Sequence, residues 1–86
     1  MQNTAGMKTT AELAADLEAR GADLEWLALR AARIAAKRGT VDAGRANGTS
    51  IIAAAHLGFI KRDRRRRGAQ YTLTRKGAAV LRVEAE

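Results

Sequence analysis

Apolar positions recur at helical spacing through the first half of the chain, alternate with polar ones in two short stretches, and then return to helical spacing. Residues 1–8 have no period and little bulk, which predicts a flexible tail, with Met7 a candidate start, ahead of one domain over 9–86. Thr9-Thr10-Ala11-Glu12 fits a capping box, in which Thr9 accepts a backbone N–H and Glu12 reaches back. Leu13 and Leu17 share a face of this first helix, Glu12, Asp16 and Glu18 turn away from it, and Gly21 is the expected stop. A second helix is expected from Asp23, its cap, to Arg38, closed by Gly39. Leu24, Leu27, Ala28, Ala31, Ile34 and Ala35 form its core stripe. Trp26 and Leu29 project from another side, near Arg30, Arg33 and Lys37, so this helix must pack against more than one neighbour. The first helix is the expected cover for Trp26 and a second subunit the alternative; stacking on nucleic acid ranks behind both.

Val41 to Ala46 reads as a very short helix, interrupted at the turn dipeptide Asn47-Gly48. Thr49 or Ser50 then caps a helix that continues to Leu57 and stops at Gly58. Ser50, Ala54 and Leu57 fall on one side of it, with Ile51 at the edge, and Thr49, Ile52, Ala53 and His56 on the other. Two helices joined by so short a turn make a helix-turn-helix. Phe59 to Asp63 and Gln70 to Thr74 are strand-like, the second placing Tyr71 and Leu73 inward and Gln70, Thr72 and Thr74 outward, with Arg64 to Ala69 as a hairpin tip containing Gly68. Thr74 caps a final helix with an apolar edge of Ala79, Val80 and Val83, extended by Ala78 and Leu81. The fold class is mainly α with a small β-hairpin.

Composition thins this picture. Of the 86 residues, 20 are Ala, which contributes little buried area per residue. A chain of this size buries only about 60 to 65% of the surface it exposes when unfolded, so a partner subunit would help its core. The absence of cysteine removes disulfides and thiolate metal sites and suits a reducing compartment. With no apolar run near the ~20 residues that span a bilayer, and no secretory signal at the N-terminus, a cytoplasmic protein without a membrane partner is expected.

Charge points toward function. Lys and Arg total 16 against 9 acids, for a net +7. Lys61 to Arg67 alone holds six basic side chains and one Asp. Burying such a run would cost several kcal/mol per charge, so it must protrude into solvent or onto an anion. Nucleic acid is the expected polyanion, an anionic membrane surface the weaker one, and a solvated charged loop the plainest alternative. Catalysis is not expected: there is one His, no Cys and no Gly-rich phosphate loop after a strand. His56 has no second His or Cys to complete a metal site, and no cofactor is implied. The N-terminal acids read as solvated faces or as an acidic counterpart to a partner.

The runs "LGFIKR" (57–62) and "YTLTRKG" (71–77), with a basic hairpin between them and a helix after, resemble the winged helix-turn-helix of the MarR and PadR classes of bacterial and phage regulators, over residues 23–83. The resemblance implies a winged helix-turn-helix with an extra N-terminal helix and a short C-terminal helix, binding double-stranded DNA in transcription regulation or as an excision-type accessory factor. Thr49, Ile52, Ala53 and His56 would then face the major groove, and Lys61, Arg62, Arg64, Arg65, Arg66 and Arg67 would lie along an adjacent minor groove or backbone. A homodimer would form through the N-terminal and C-terminal helices. The helix face departs from the pattern because it lacks the Arg, Lys, Asn or Gln that usually read base edges. Arg45 and Asn47, just before it, are candidates for a base or phosphate contact, and Ile52 for a thymine methyl. For Ile52 and His56, a protein interface or packed core is an equal alternative. Arginines in a narrow minor groove would supply specificity instead. Six hairpin contacts to phosphate imply a slope of roughly −5 for log K against log salt. The alternative is a winged-helix protein-interaction module that binds and modulates a protein partner through its helix faces, with the arginines matching an acidic surface. RNA ranks third, because exposed sheet aromatics for stacking bases are lacking.

Overall fold

The computed structural model describes residues 8–85, and the rest of the expected tail lies outside the described residues. The elements are α1 (Thr10–Ala19), α2 (Leu24–Arg38), α3 (Ala43–Ala46), α4 (Gly48–His56), β1 (Ile60–Arg62), β2 (Tyr71–Leu73) and α5 (Arg75–Ala85). They make a mainly helical domain with one small antiparallel hairpin. No described helix is long and apolar enough to cross a membrane.

Local chemistry sets the helix ends. Thr9 and Glu12 form the expected capping box: Thr9 Oγ1 accepts from the Glu12 N–H at 3.1 Å and Glu12 Oε1 from the Thr9 N–H at 2.8 Å. That backbone N–H, foremost, holds the Glu12 carboxyl below its ordinary pKa. Lys8, assigned to the tail, instead pairs with Asp16 at 2.5 Å. Asp23 caps α2 by accepting the Trp26 N–H at 3.1 Å, and Gly39 closes it in the left-handed conformation at φ +89°.

The core lies between α2 and α4. Ala28, Ala31, Ala32 and Ala35 of α2 are buried, as are Ala53 and Ala54 of α4. Small side chains let two helices approach toward the short end of the roughly 8–10 Å range of interaxial distances. α1 adds Ala14 against α4, and Val41, Phe59 and Ile60 close the base. Leu29 is buried at 5% exposure, but Trp26 on the same helix is 59% exposed, so the expected cover from α1 is not there. The buried face of α1 turns to α4 instead. The edge expected on α5 is also corrected. Val80 and Leu81 are half-buried, whereas Ala79 is exposed and Val83 is 72% exposed.

Val41 does not begin a helix. It exchanges two backbone hydrogen bonds with Tyr71, each 2.9 Å, and so adds a short third edge to the hairpin. Asp42 then caps α3, accepting the Arg45 N–H at 3.0 Å. Asn47 caps α4 from a left-handed φ of +74°, its Oδ1 accepting the Ser50 N–H at 3.0 Å, so α4 starts at Gly48 and neither Thr49 nor Ser50 is the cap. With ψ at 161° this is backbone that suits glycine, and the two local hydrogen bonds that Asn47 Oδ1 accepts hold it there. Ser50 is fully buried, and its Oγ finds no partner among the described residues. An unpaired buried hydroxyl costs about 1–3 kcal/mol, so Ser50→Ala is expected to raise stability by about 1 kcal/mol, read as a higher urea midpoint at unchanged slope.

Candidate nucleic-acid interface

The hairpin pairs Ile60 with Leu73, Lys61 with Thr72 and Arg62 with Tyr71, and Asp63 N–H donates to the Gln70 carbonyl at 2.9 Å beyond the last pair. Each strand is one residue shorter at either end than its sequence pattern suggests. Ile60 is buried and anchors the finger, while Lys61 and Arg62 are exposed. The inward and outward alternation expected of the second strand is blurred: Tyr71, Thr72 and Leu73 are all half-buried, and Tyr71 also pairs with Val41.

Asp63 organises the tip. Its side chain is nearly buried, and Oδ1 accepts the Arg65 backbone N–H at 3.0 Å, the Asx-turn geometry in which a carboxylate closes a turn two residues on. Arg66 N–H donates to the Asp63 carbonyl at 3.3 Å, and Gly68 supplies a φ of +72° for the return. Arg65 Nε lies 3.3 Å from Asp63 Oδ1 and Arg66 Nε 3.2 Å from Oδ2. The Arg65 side chain nevertheless remains 91% exposed and that of Arg66 57% exposed. One carboxylate therefore orients two guanidinium groups through their Nε atoms while leaving most of their surface in solvent. Six positive charges against one negative keep the finger at a net +5. Lys61, Arg62, Asp63, Arg64, Arg65 and Thr72 line a shallow recess of about 430 Å³. Cations converging on an open recess suit anionic oxygens better than an apolar ligand.

The Arg65 backbone N–H is the largest cause, followed among the lowering contacts by the Arg65 and Arg66 side chains, of an Asp63 pKa held below its ordinary value, with desolvation opposing it. A carboxylate with a depressed folded pKa stabilises the fold above its unfolded pKa, near 3.9, and loses that contribution as pH falls through the folded value. The expected result is an Asp63 carboxyl carbon-13 titration with a midpoint below about 3.9, accompanied by loss of hydrogen-exchange protection at the Arg65 amide over the same range.

The remaining candidates divide. Thr49 and His56 are exposed on α4, and Ile52 is half-buried beside them. Ala53 is fully buried against the core and is withdrawn from the exposed face. Asn47 is exposed, but its Oδ1 is taken by the Ser50 N–H and by Thr49 Oγ1, the latter at 2.8 Å, which leaves only its NH₂ group to donate outward. Arg45 is exposed on α3. The hairpin base is tied to this region by Gln70 Nε2, which donates to Asp42 Oδ2 at 3.1 Å. Asp42 thus caps α3 with one oxygen and holds the hairpin with the other, a link the sequence did not reveal because its partners are 28 residues apart.

Comparisons with models of protein families, with curated proteins and with solved structures return no match for this chain. What the surface does must follow from its own residues. Among the described residues, no group of three or more His, Cys, Asp or Glu side chains is placed to hold a metal ion.

Proposed function

We propose that this protein is a small winged helix-turn-helix regulator that binds duplex DNA, with the hairpin as its wing and α3–α4 as its helix-turn-helix. The observation that carries the reading is the finger from Lys61 to Arg67, whose guanidinium groups are exposed and whose one carboxylate orients two of them, Arg65 and Arg66. The edge added by Val41, the helix pair joined at Asn47 and the helix that follows the hairpin support it. Phosphate contacts would supply most of the affinity, and arginines entering a minor groove would sense its width. The exposed face of α4, with Thr49, Ile52 and His56, offers little for direct base reading, so selectivity would rest on DNA shape.

A second reading has one observation in its favour. Trp26 is 59% and Val83 72% exposed, and an apolar groove between α2 and α5, lined by Glu25, Leu29, Ala79, Val80, Val83 and Glu84, lies on the Val83 side. Exposed apolar surface of this kind suits a protein partner or a second copy, and the dimer would then use α2 and α5 in place of α1. Electrophoretic mobility of random duplex DNA, measured at low and moderate salt, decides between the two. Binding that weakens steeply with salt is the expected result. No binding at low salt overturns the DNA reading and leaves the protein-interaction module.

A further inference from the structure

A second basic surface lies away from the hairpin tip. Arg33, Ile34, Lys37 and Arg38 of α2 and Arg45 of α3 line a cleft of about 410 Å³. All four basic residues are exposed, Ile34 is half-buried, and no acid contributes to the lining. The carboxylates nearby are otherwise engaged. Glu84 pairs with Arg33 from the α5 side, and Asp42 spends its oxygens on the Arg45 N–H and on Gln70.

Fold stability accounts for this cluster only in part. Lys37 and Arg38 occupy the last turn of α2, where a cation favours the helix dipole. Arg45 lies in the last turn of α3, but a helix of four residues has little dipole for a cation to favour. Glu84 compensates Arg33, which leaves Lys37, Arg38 and Arg45 facing the cleft with no carboxylate in its lining. A phosphate, with oxygens that accept from guanidinium and ammonium together, matches the donors present.

We infer that this cleft binds phosphate groups, supplied by the backbone of the duplex held at the hairpin, outside the stretch the hairpin itself covers; this rests on the DNA reading above. The rigid connection supports a shared ligand. Arg45 lies one helical turn from Asp42, Asp42 holds Gln70, and Gln70 pairs with Asp63 at the root of the tip. The two basic surfaces are therefore held at a fixed spacing. A duplex presents a phosphate about every 3.4 Å along each strand, so one that runs past the hairpin offers contacts at many distances.

The test compares wild type with Arg38→Ala/Arg45→Ala and with a charge-matched control, Arg20→Ala/Arg82→Ala, on a labelled duplex of about 25 base pairs. At 3.4 Å per pair that duplex is roughly 85 Å long, beyond the 49 Å longest dimension of the described chain. The cleft variant is expected to flatten the log K against log salt slope by about 1.8 and to weaken binding about 50-fold at 0.1 M salt, while the control matches wild type. Arg38→Lys/Arg45→Lys should restore most of the loss, which excludes misfolding as its cause. A cleft variant indistinguishable from the control overturns the inference. If wild type binds no duplex, the DNA reading fails, and the cleft is judged by titrating labelled protein with inorganic pyrophosphate. Shifts of the Arg38 and Arg45 amides that vanish in the alanine variant then retain a phosphate site for a free ligand, and their absence removes it.

Discussion

Gly77→Ala is expected to remove more than half of the folding stability and to lower the melting temperature by roughly 15 °C. Gly77 is buried in the first turns of α5, and a Cβ there would stand 2.2 Å from the Phe59 carbonyl oxygen and 2.8 Å from Leu73 Cδ1. The leucine is a flexible end and can give way. The carbonyl cannot, because it accepts the Thr74 N–H at 2.9 Å, and the preceding Gly58 carbonyl accepts Thr74 Oγ1 at 2.5 Å. Thr74 Oγ1 in turn accepts the Gly77 N–H at 3.0 Å, so the start of α5, the end of β2 and the entry to β1 are one hydrogen-bonded knot. Relieving the overlap means moving the backbone of Phe59, which is buried. Overpacking costs about 1–3 kcal/mol and each lost hydrogen bond about 1 kcal/mol, against a gain of about 1 kcal/mol because Ala is the better helix former. A net loss of about 3 kcal/mol is more than half the stability of a marginal domain, near 5 kcal/mol, and should lower the melting temperature by roughly 15 °C. Ala79→Gly, on an exposed position of the same helix, should lose only about 1 kcal/mol. A Gly77→Ala melt within a few degrees of wild type would mean that α5 does not pack on Phe59 in this way.

The sequence made some of these features legible and concealed others for physical reasons. Helix ends were readable because their determinants are local. Thr9 with Glu12, Asp23, Gly39 and Thr74 all cap as their chemistry suggests. The hairpin was readable because alternation over Gln70 to Thr74 is a strand signal, although the pairing of Val41 with Tyr71 was not, since no local pattern announces a single bridge. Periodicity indicated that α2 has apolar residues on two sides, but it carries no information about which neighbour covers each side, and Trp26 was assigned a cover that α1 gives to α4. Ala53 sits at the boundary of two faces of α4, where a side chain of one carbon leaves the direction undecided. The turn signature of Asn47-Gly48 hides the role of the Asn47 side chain as a cap. Asp63 is the instructive omission. It is one acid among six basic residues, yet an Asp that opens a tight turn is a known local signal, and it is what shapes the tip. The cleft between α2 and α3 had no sequence signature, because Arg38 and Arg45 are brought together only by the packing of two elements.

Replacing Arg64, Arg65, Arg66 and Arg67 together by Ala is expected to weaken duplex binding about 3000-fold at 0.1 M salt while leaving the fold intact. Each phosphate contact contributes about 0.9 to the slope of log K against log salt, so losing four should flatten it by about 3.6. The fold is expected to survive because all four side chains are exposed and because the bond that shapes the tip runs from Asp63 to the backbone N–H of residue 65, which alanine retains. Ion pairs of exposed side chains such as these contribute little to stability, about 0–1 kcal/mol, so thermal melting should move by only a few degrees. Asp63→Ala is the complementary change. It removes the one negative charge of the tip, which by charge alone should tighten binding, but it also releases the Arg65 N–H and both Nε contacts. If binding depends only on accumulated charge, Asp63→Ala should bind at least as tightly as wild type; if the carboxylate positions the arginines for a groove, it should bind more weakly in spite of its extra positive charge. Fluorescence anisotropy over a salt series separates the two through affinity at matched slope. Unchanged affinity in the fourfold arginine variant would place the contact surface somewhere other than this finger, and the DNA reading would then have to stand on α4 and the α2–α3 cleft alone.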